Sequence, residues 1–478
     1  MLVSSVRRHC FQVFIIIALG IIGALCVPLA RAQDAPGLSP ETRSKIDRVA
    51  QDVLHTTGVP SASIAIVKDG QIAYLQAYGD ARLDPRTAAR PGMRYSIGSI
   101  SKQFTATAVL MLADQGRLSL ENPISKYLPA LTRANEITIR EVLSHTSGYQ
   151  DYWPQDYVPP FMTRPISAEE ILKIWAQKPL DFDPGTKWEY SNTNYVIAGL
   201  IVEKVSGMPL LQFLGTQIFA PLGMQSVSNI DQDSLGDTDA TGYMRYALGP
   251  LRVAPKEGKG WLFAAGELAM PAQDLAKWDI GMLDQRLLNP ATYREMQTAV
   301  RLKNGVGVKY GLGVFVDSQS GHRFLDHGGE VSGFTSDNLV FPDDRAAIVV
   351  LTNQDSTGAP SEIGRQIAKA LFAVDSAESA KKRQQAQQIL EDLQHGKIDR
   401  SLFTDNANSY FSEDAIKDFS SSLLPLGTLQ ELTLQSTGHR GGMTYWNYQA
   451  KFAQKAVALS IYEMPDGKIE QYEVIVPN

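Results

Sequence analysis

Three short motifs bring together residue types that can carry out nucleophilic chemistry. In chain order they are Ser99-x-x-Lys102, Tyr190-x-Asn192 and His327-Gly328-Gly329. A serine hydroxyl is a weak nucleophile until a neighbouring base accepts its proton, and a neutral lysine or an ionised tyrosine can act as that base. An asparagine amide can hold a substrate carbonyl group or orient Lys102, and glycines after a strand allow a ligand to approach the backbone. The motifs predict a serine nucleophile with its own base and binding groups.

The same patterns recur in the last hundred residues, so spacing alone does not identify the site. The second set is Ser379-x-x-Lys382, Tyr445-x-Asn447 and His439-x-Gly441. Its serine and lysine fall in a charged segment that we expect to be solvated. The tyrosine and histidine fall in a predicted strand and a predicted hairpin, where packing explains them. Local context therefore favours the first set.

Ser99 opens a segment, Ile100 to Gln115, that is apolar on nearly every side and is stopped by Gly116. This pattern predicts a helix buried in the centre of a domain. The free backbone N–H groups at its start could stabilise an oxyanion. Lys102 lies one turn along the same face, and burial would lower its pKa enough to make it a base. A tyrosine needs a nearby cation to lower its pKa, and Lys102 could be the cation that acts on Tyr190.

The elements around the motifs predict an α/β-type layered domain over residues 40–373, with a sheet made from both chain ends. Strand alternation at 59–67 and 71–78 surrounds an Asp69-Gly70 turn, which indicates a hairpin. A helix over 194–205 follows the second motif, and one with Ile363, Ile367 and Leu371 closes the unit. Further strands are predicted at 311–316, 323–327, 338–341 and 346–352.

Composition changes after Val374. Residues 374–388 are charged and rich in glutamine and alanine, which is typical of an exposed linking helix. Residues 389–478 predict a small separate α+β domain, mainly helical to Leu424 and then formed by four strands. We expect those strands near 429–435, 443–452, 456–463 and 468–476.

The first 32 residues are typical of a secretory signal peptide. Arg7 and Arg8 precede an apolar run from Val13 to Val27, and an Ala-Arg-Ala sequence ends at Ala32. Pro28 cuts the run short of a membrane span, although an uncleaved anchor is the alternative interpretation. We therefore expect a periplasmic or secreted protein that is not stably inserted in the membrane after cleavage.

The composition of the predicted mature chain excludes several functions. Both cysteines, Cys10 and Cys26, belong to the signal segment, so disulfides, cysteine nucleophiles and thiolate metal sites are excluded. The signal segment also carries three arginines and no acids, so its removal takes the net charge from −6 to −9. Such an acidic chain is a poor partner for nucleic acid. The seven histidines show no metal-binding spacing, and we expect no metal and no cofactor.

Between about residues 40 and 373, the chain resembles the class C β-lactamase and D,D-peptidase-like serine hydrolases, which are penicillin-recognising enzymes. The resemblance rests on segments in the family's order rather than on three motifs alone. They are Tyr95 to Thr105, Leu143 to Gly148, Pro184 to Gly199, His327 to Phe334, and Asn353. It implies the β-lactamase/transpeptidase-like fold, an antiparallel sheet flanked by helices with an additional all-helical region.

The resemblance also implies roles for the motif residues. Ser99 would form an acyl-enzyme that water then cleaves, and Lys102 and Tyr190 would share the proton transfers. The backbone N–H groups of Ser99 and Glu330 would form the oxyanion hole. Asn192, His327, Gly329 and Glu330 would bind a small-molecule or peptide substrate.

One departure from the family bears on the substrate. Penicillinase-type members have Lys-Thr-Gly where this chain has His327-Gly328-Gly329, followed by Glu330. A neutral histidine is a weaker clamp for a carboxylate than a lysine, and the acid would repel it. We therefore expect cleavage of D-residue-containing peptides or small esters. The alternatives are a β-lactamase or D,D-carboxypeptidase, and a catalytically silent sensor or binding protein on the same fold. Tyr149, Tyr152, Trp153 and Tyr157 either line the pocket or form a structural cluster.

Overall fold

The computed structural model describes residues 37–319, 321–372 and 377–475. The predicted signal peptide, residues 1–32, and the first part of the predicted linker, residues 374–376, lie outside these ranges. The helices are α1 Pro40–Thr57, α2 Ser101–Asp114, α3 Ile139–Leu143, α4 Ala168–Ile171, α5 Asn192–Ser206, α6 Leu210–Leu214, α7 Ala220–Leu222, α8 Ala272–Leu283, α9 Pro290–Met296, α10 Ala359–Phe372, α11 Ala377–Gln394, α12 Asp405–Tyr410 and α13 Glu413–Leu423. The strands are β1 Ser61–Lys68, β2 Gln71–Leu83, β3 Arg86–Ala88, β4 Tyr95–Ser96, β5 Ser228–Asn229, β6 Tyr243–Met244, β7 Arg252–Val253, β8 Leu268–Met270, β9 Phe315–Gln319, β10 His322–Val331, β11 Phe334–Phe341, β12 Ala346–Thr352, β13 Leu429–Arg440, β14 Met443–Phe452, β15 Ala456–Glu463 and β16 Ile469–Ile475.

The main sheet is antiparallel and has seven strands in the order β3-β2-β1-β12-β11-β10-β9. Strands from both ends of the domain therefore pair at its centre, as the sequence predicts. The β1–β2 hairpin turns through Asp69 and Gly70, both with positive φ, which a two-residue turn of this kind requires.

The strand predicted at 311–316 begins only at Phe315. Gly313 has a φ of 85°, and a Cβ there would lie 2.7 Å from Cβ of Ala106 on α2. The backbone before Phe315 therefore passes close to α2 in a conformation that does not extend the strand.

Helices cover both faces of this sheet. On one face α1 and α10 pack on it, and the predicted helix positions Ile363 and Ile367 are fully buried there. On the other face lies a larger core that includes Phe104 of α2, Val196 of α5 and Trp278 of α8. Polar side chains buried between this sheet and these helices need partners, and the candidate active site lies where they meet.

α2 and α5 are buried on nearly every side, in agreement with the prediction for the first of them. Among the described helices, none alone combines the length and apolar character of a membrane span. One pair, α5 and the segment Leu210–Leu222, passes that test only together, with a bend of 72° between its two parts.

A four-stranded antiparallel sheet, β13-β14-β15-β16, forms a C-terminal sheet domain with α11 to α13. The predicted strands are found, with β13 running on to Arg440. α11 begins at Ala377, inside the predicted linker. Ser379 is buried, and Ala386 belongs to the core of this domain. The expectation that Ser379 and Lys382 are solvated is wrong, because Ser379 is buried and Lys382 forms an ion pair with Glu463 of β15.

Candidate active site

Ser99 lies on a single 3₁₀ turn, Gly98–Ile100, that continues directly into α2. The turn packs backbone to backbone against β10. A Cβ on Gly98, whose φ is 51°, would lie 2.6 Å from the Glu330 nitrogen, and a Cβ on Gly329 would lie 1.9 Å from the Ile97 oxygen. Side chains at either position would push the turn away from the strand. The two glycines thus place the backbone of Glu330 beside the Ser99 turn.

Lys102 is completely buried, and three oxygen atoms surround its amine. Nζ lies 2.9 Å from Ser99 Oγ, 2.8 Å from Asn192 Oδ1 and 2.8 Å from the Ala265 carbonyl oxygen. The two carbonyl oxygens can only accept hydrogen bonds. A neutral amine that donates its two N–H groups to them has its lone pair left for the Ser99 hydroxyl.

Burial lowers the pKa of Lys102 from 10.5 to about 7, because the charged form loses its solvation. The carboxylate of Asp151 opposes this shift by favouring the ammonium. A large share of the lysine is therefore neutral near pH 7. The pKa shift predicted from the sequence is confirmed in direction and in cause.

Tyr190 lies next to this pair, with Lys102 Nζ 5.0 Å from the centre of its ring. Burial raises the pKa of the Tyr190 phenol, and a hydrogen bond with the Ser99 side chain opposes the rise. The prediction that Lys102 lowers this pKa is wrong, since burial favours the uncharged amine as well. Tyr190 is a phenol that can donate a proton rather than a ready base.

Asn192, the first residue of α5, connects Lys102 to a residue that the motifs did not indicate. Its Oδ1 faces Lys102, while its Nδ2 donates to Asp151 Oδ2 over 3.2 Å and its backbone N–H donates to Asp151 Oδ1 over 2.9 Å. Burial raises the pKa of Asp151, against the effect of these donors. In the sequence, Asp151 is indicated only by its place beside a cluster of aromatic residues.

His327 is buried behind the site rather than exposed in it. Its Nδ1 lies 2.6 Å from the Gly328 carbonyl oxygen, so Nδ1 carries the hydrogen, and Nε2 accepts from the Tyr310 hydroxyl over 3.2 Å. Burial, reinforced by Lys102, lowers the pKa of His327 to about 3. The sequence predicts that His327 contacts the substrate. It lies instead behind Tyr190 and supports it, with 6.2 Å between the two ring centres.

A cavity of about 370 Å³ opens in front of Ser99. Tyr152, Trp153 and Tyr157 line it, whereas Tyr149 is buried elsewhere with its hydroxyl on the Thr132 oxygen. The lining includes five acids and, among the described residues, no lysine, arginine or histidine. The acids are Asp151, Asp156, Glu189, Glu330 and Asp355.

The model of the Beta-lactamase family matches residues 46–372, which hold every part of this site. The chain belongs to the Beta-lactamase family. Penicillin-binding protein 4* of Bacillus subtilis (strain 168) is among its relatives, with 26% identity over 310 residues, which cover 62% of this chain and 68% of that protein.

Known relatives agree with this placement. Protein flp of Staphylococcus aureus (strain N315) is 29% identical over 335 residues, which cover 68% of this chain and 65% of that protein. The chain thus spans less than two thirds of the length of that relative. A D-stereospecific amidohydrolase from Streptomyces sp. is 27% identical, with a TM-score of 0.60 over 70% of this chain and 100% of its own.

The octameric penicillin-binding protein homologue from Pyrococcus abyssi shares the fold over a longer stretch. It covers 91% of this chain and 99% of its own, with a TM-score of 0.62 and 22% identity. That coverage extends beyond the 46–372 region, so the similarity in fold includes part of the C-terminal sheet domain.

The motifs also did not indicate the position of His145 in this site. The residue is buried, its Nδ1 accepts from the Ser191 backbone N–H over 3.2 Å, and its ring centre lies 4.4 Å from that of Tyr190. Burial lowers the pKa of His145 well below its ordinary value. His145 is therefore a neutral side chain that holds the segment around Tyr190 in place. It belongs to the Leu143 to Gly148 motif, which was the available signal.

Glu330 contributes both its backbone and its side chain to the site. Its backbone lies beside the Ser99 turn, and its carboxylate accepts from the Ser356 backbone N–H over 2.8 Å. Burial raises the pKa of this carboxyl, and Asp156 and Asp355 raise it further by repulsion. The cavity is therefore a region of negative potential.

No metal site is apparent in the described ranges, 37–319, 321–372 and 377–475. There, no group of three or more histidine, cysteine, aspartate or glutamate residues is arranged to hold an ion.

Proposed function

We propose that this enzyme hydrolyses amides and esters through an acyl-enzyme on Ser99. The observation that carries the proposal is the position of the buried Lys102 amine, 2.9 Å from Ser99 Oγ with two carbonyl oxygens on its other side. This arrangement directs a lone pair at the serine hydroxyl, as general base catalysis needs.

The proposed reaction uses residues already in contact. Lys102 takes the Ser99 proton as Oγ attacks the substrate carbonyl carbon. The backbone N–H groups of Ser99 and Glu330 stabilise the oxyanion, which is the largest contribution in many acyl transfers. Tyr190 donates its proton to the leaving group and is reprotonated by Lys102. Water then attacks the acyl carbon, and the same groups return Ser99 to its starting state.

The acids of the cavity favour a particular substrate. A carboxylate next to the scissile bond would meet Glu330, Asp156 and Asp355 with no cation nearby among the described lining residues. A free ammonium group would be attracted. We therefore infer an amide or ester with a free amino group, and the similarity to a D-stereospecific amidohydrolase supports the D configuration.

A matched pair of substrates tests the charge preference. D-alanine p-nitroanilide should be cleaved with at least about tenfold higher kcat/KM than its N-acetyl form, since each 1.4 kcal/mol of attraction is a factor of ten. The L enantiomer and a chromogenic cephalosporin should both be poorer substrates. Equal rates for the pair would contradict the amine preference, and a preferred cephalosporin would favour a β-lactamase.

Two variants connect this preference to residues. Ser99→Ala should abolish turnover of every substrate, because the nucleophile is lost. Glu330→Gln should reduce kcat/KM for D-alanine p-nitroanilide while changing little for a neutral p-nitrophenyl ester, which is the internal control. A loss for both substrates would mean that Glu330 acts through the backbone geometry rather than through its charge.

A further inference from the structure

Both carboxylate oxygens of Asp151 accept hydrogen bonds from Asn192, whose side chain contacts Lys102. Oδ1 accepts from the backbone N–H of Asn192 over 2.9 Å and of Trp153 over 3.2 Å. Oδ2 accepts from the Asn192 side-chain Nδ2 over 3.2 Å. The same carboxylate lines the cavity beside Ser99.

These contacts determine which way the Asn192 amide faces. An amide can rotate by half a turn and exchange its oxygen and nitrogen, but a carboxylate only accepts hydrogen bonds. Asp151 therefore selects the orientation with Nδ2 toward itself and Oδ1 2.8 Å from Lys102 Nζ. In the opposite orientation Asn192 would present N–H groups to the amine and compete with Ser99 for its lone pair.

We propose that Asp151 is a positioning residue, which holds the Asn192 carbonyl oxygen on the Lys102 amine and thereby directs the amine's lone pair at Ser99. The proposal rests on the proposed function, in which Lys102 is the base. It assigns to Asp151 a second effect, because its carboxylate favours the protonated form of Lys102 and so opposes the effect of burial.

The other titratable groups around Lys102 are uncharged near neutral pH. Burial raises the pKa of two neighbouring tyrosines and lowers the pKa of two histidines; they are Tyr190, Tyr195, His145 and His327. Among the described residues, Asp151 is the charge that acts on the lysine. Removing it should therefore move the lysine's titration in one direction only.

The test uses the full chain and the pH profile of kcat/KM for a p-nitrophenyl ester. Asp151→Asn should lower kcat about tenfold or more, because small misplacements of catalytic groups have effects of this size. It should also shift the acid limb to lower pH, since the charge that favours protonated Lys102 is gone. Asp151→Glu, which keeps the charge, should keep the acid limb near its wild-type position.

Asp181→Asn is the matched control, because Asp181 is an exposed acid of a nearby loop outside the cavity lining. It should change neither kcat nor the acid limb. An Asp151→Asn variant with wild-type melting temperature, kcat and acid limb would overturn the proposal, as would a loss of kcat with an unmoved acid limb. Failure of the proposed function itself would appear separately, as wild-type turnover that survives Ser99→Ala.

Discussion

Two serine–lysine pairs with the same spacing lie on helices of the two domains and differ in what surrounds the lysine. Lys102 is fully buried, and its amine contacts Ser99 and two carbonyl oxygens. Lys382 forms an ion pair with Glu463 over 2.6 Å, and both side chains keep some exposure, 19% and 14%. An ammonium in an ion pair has no lone pair with which to accept a proton.

The partners of the lysine, rather than the motif, separate Lys102, the base that we propose, from Lys382. Burial destabilises the charged form of a lysine that has no carboxylate in contact. A carboxylate in contact compensates for this loss of solvation. The serines differ as well, since Ser99 is partly exposed and lines the cavity whereas Ser379 is buried. The first pair combines a fully buried amine with a hydroxyl that lines the cavity.

The largest expected difference is between Lys102→Ala and Lys382→Ala. Loss of a general base typically lowers the rate 10²–10⁴-fold, and we expect a loss in this range for the first variant. The second should keep full turnover and lose about 1–3 kcal/mol of stability in the C-terminal sheet domain, where Glu463 is left unpaired. Steady-state kinetics and thermal melting measure the two effects. Equal turnover of the two variants would contradict the assignment of Lys102, and not Lys382, as the base.

Tyr190→Phe tests a further neighbour of the first pair, because the ring centre of Tyr190 lies 5.0 Å from Lys102 Nζ. We expect a loss of about 10²–10⁴-fold, since a proton donor to the leaving group is removed. The double variant with Lys102→Ala should lose less than the product of the single losses, because both residues handle the same proton. Fully multiplicative losses, measured as kcat/KM on one anilide, would show that they act independently.

The smallest effect on chemistry is expected from removing the second pair altogether. Truncation after residue 373 deletes the C-terminal sheet domain, whose core is formed by residues 386–472 and is separate from the two cores of the catalytic domain. The truncated protein should fold, by circular dichroism, and acylate at a rate within about threefold of the full chain, since no residue of the site is lost. A folded but unreactive protein would instead mean that the last domain completes the site.

The sequence was sufficient for the parts of the site that are local. Ser99 and Lys102 lie on one continuous helical segment, and its apolar composition indicates that it is buried. Their contact and the lowered pKa of Lys102 could therefore be predicted. Asp151 and His145 reach Asn192 and Tyr190 only because the chain returns some forty residues later.

The orientation of side chains was the harder part. The sequence predicts that a strand ends at His327, but β10 continues to Val331. A histidine in a strand can face the cavity or the core, and contacts with the Tyr310 hydroxyl and the Gly328 oxygen favour the core. In α11 the abundant charges suggested a solvated segment. Its few small and apolar residues, such as Ala386 and Ile389, nevertheless form a buried stripe against a sheet about sixty residues away in sequence.

The proposed roles of Ser99 and Lys102 are tested most directly by the pH dependence of covalent labelling by a fluorophosphonate, with the modified serine identified by peptide mass spectrometry. The pKa of about 7 for Lys102 means that its neutral, proton-accepting form increases as the pH rises through 7. We expect an adduct on Ser99 alone, formed at a rate that rises through this range and is nearly constant above it. An adduct on Ser379, or labelling of Ser99 at a rate that does not change between pH 5 and 9, would contradict these roles.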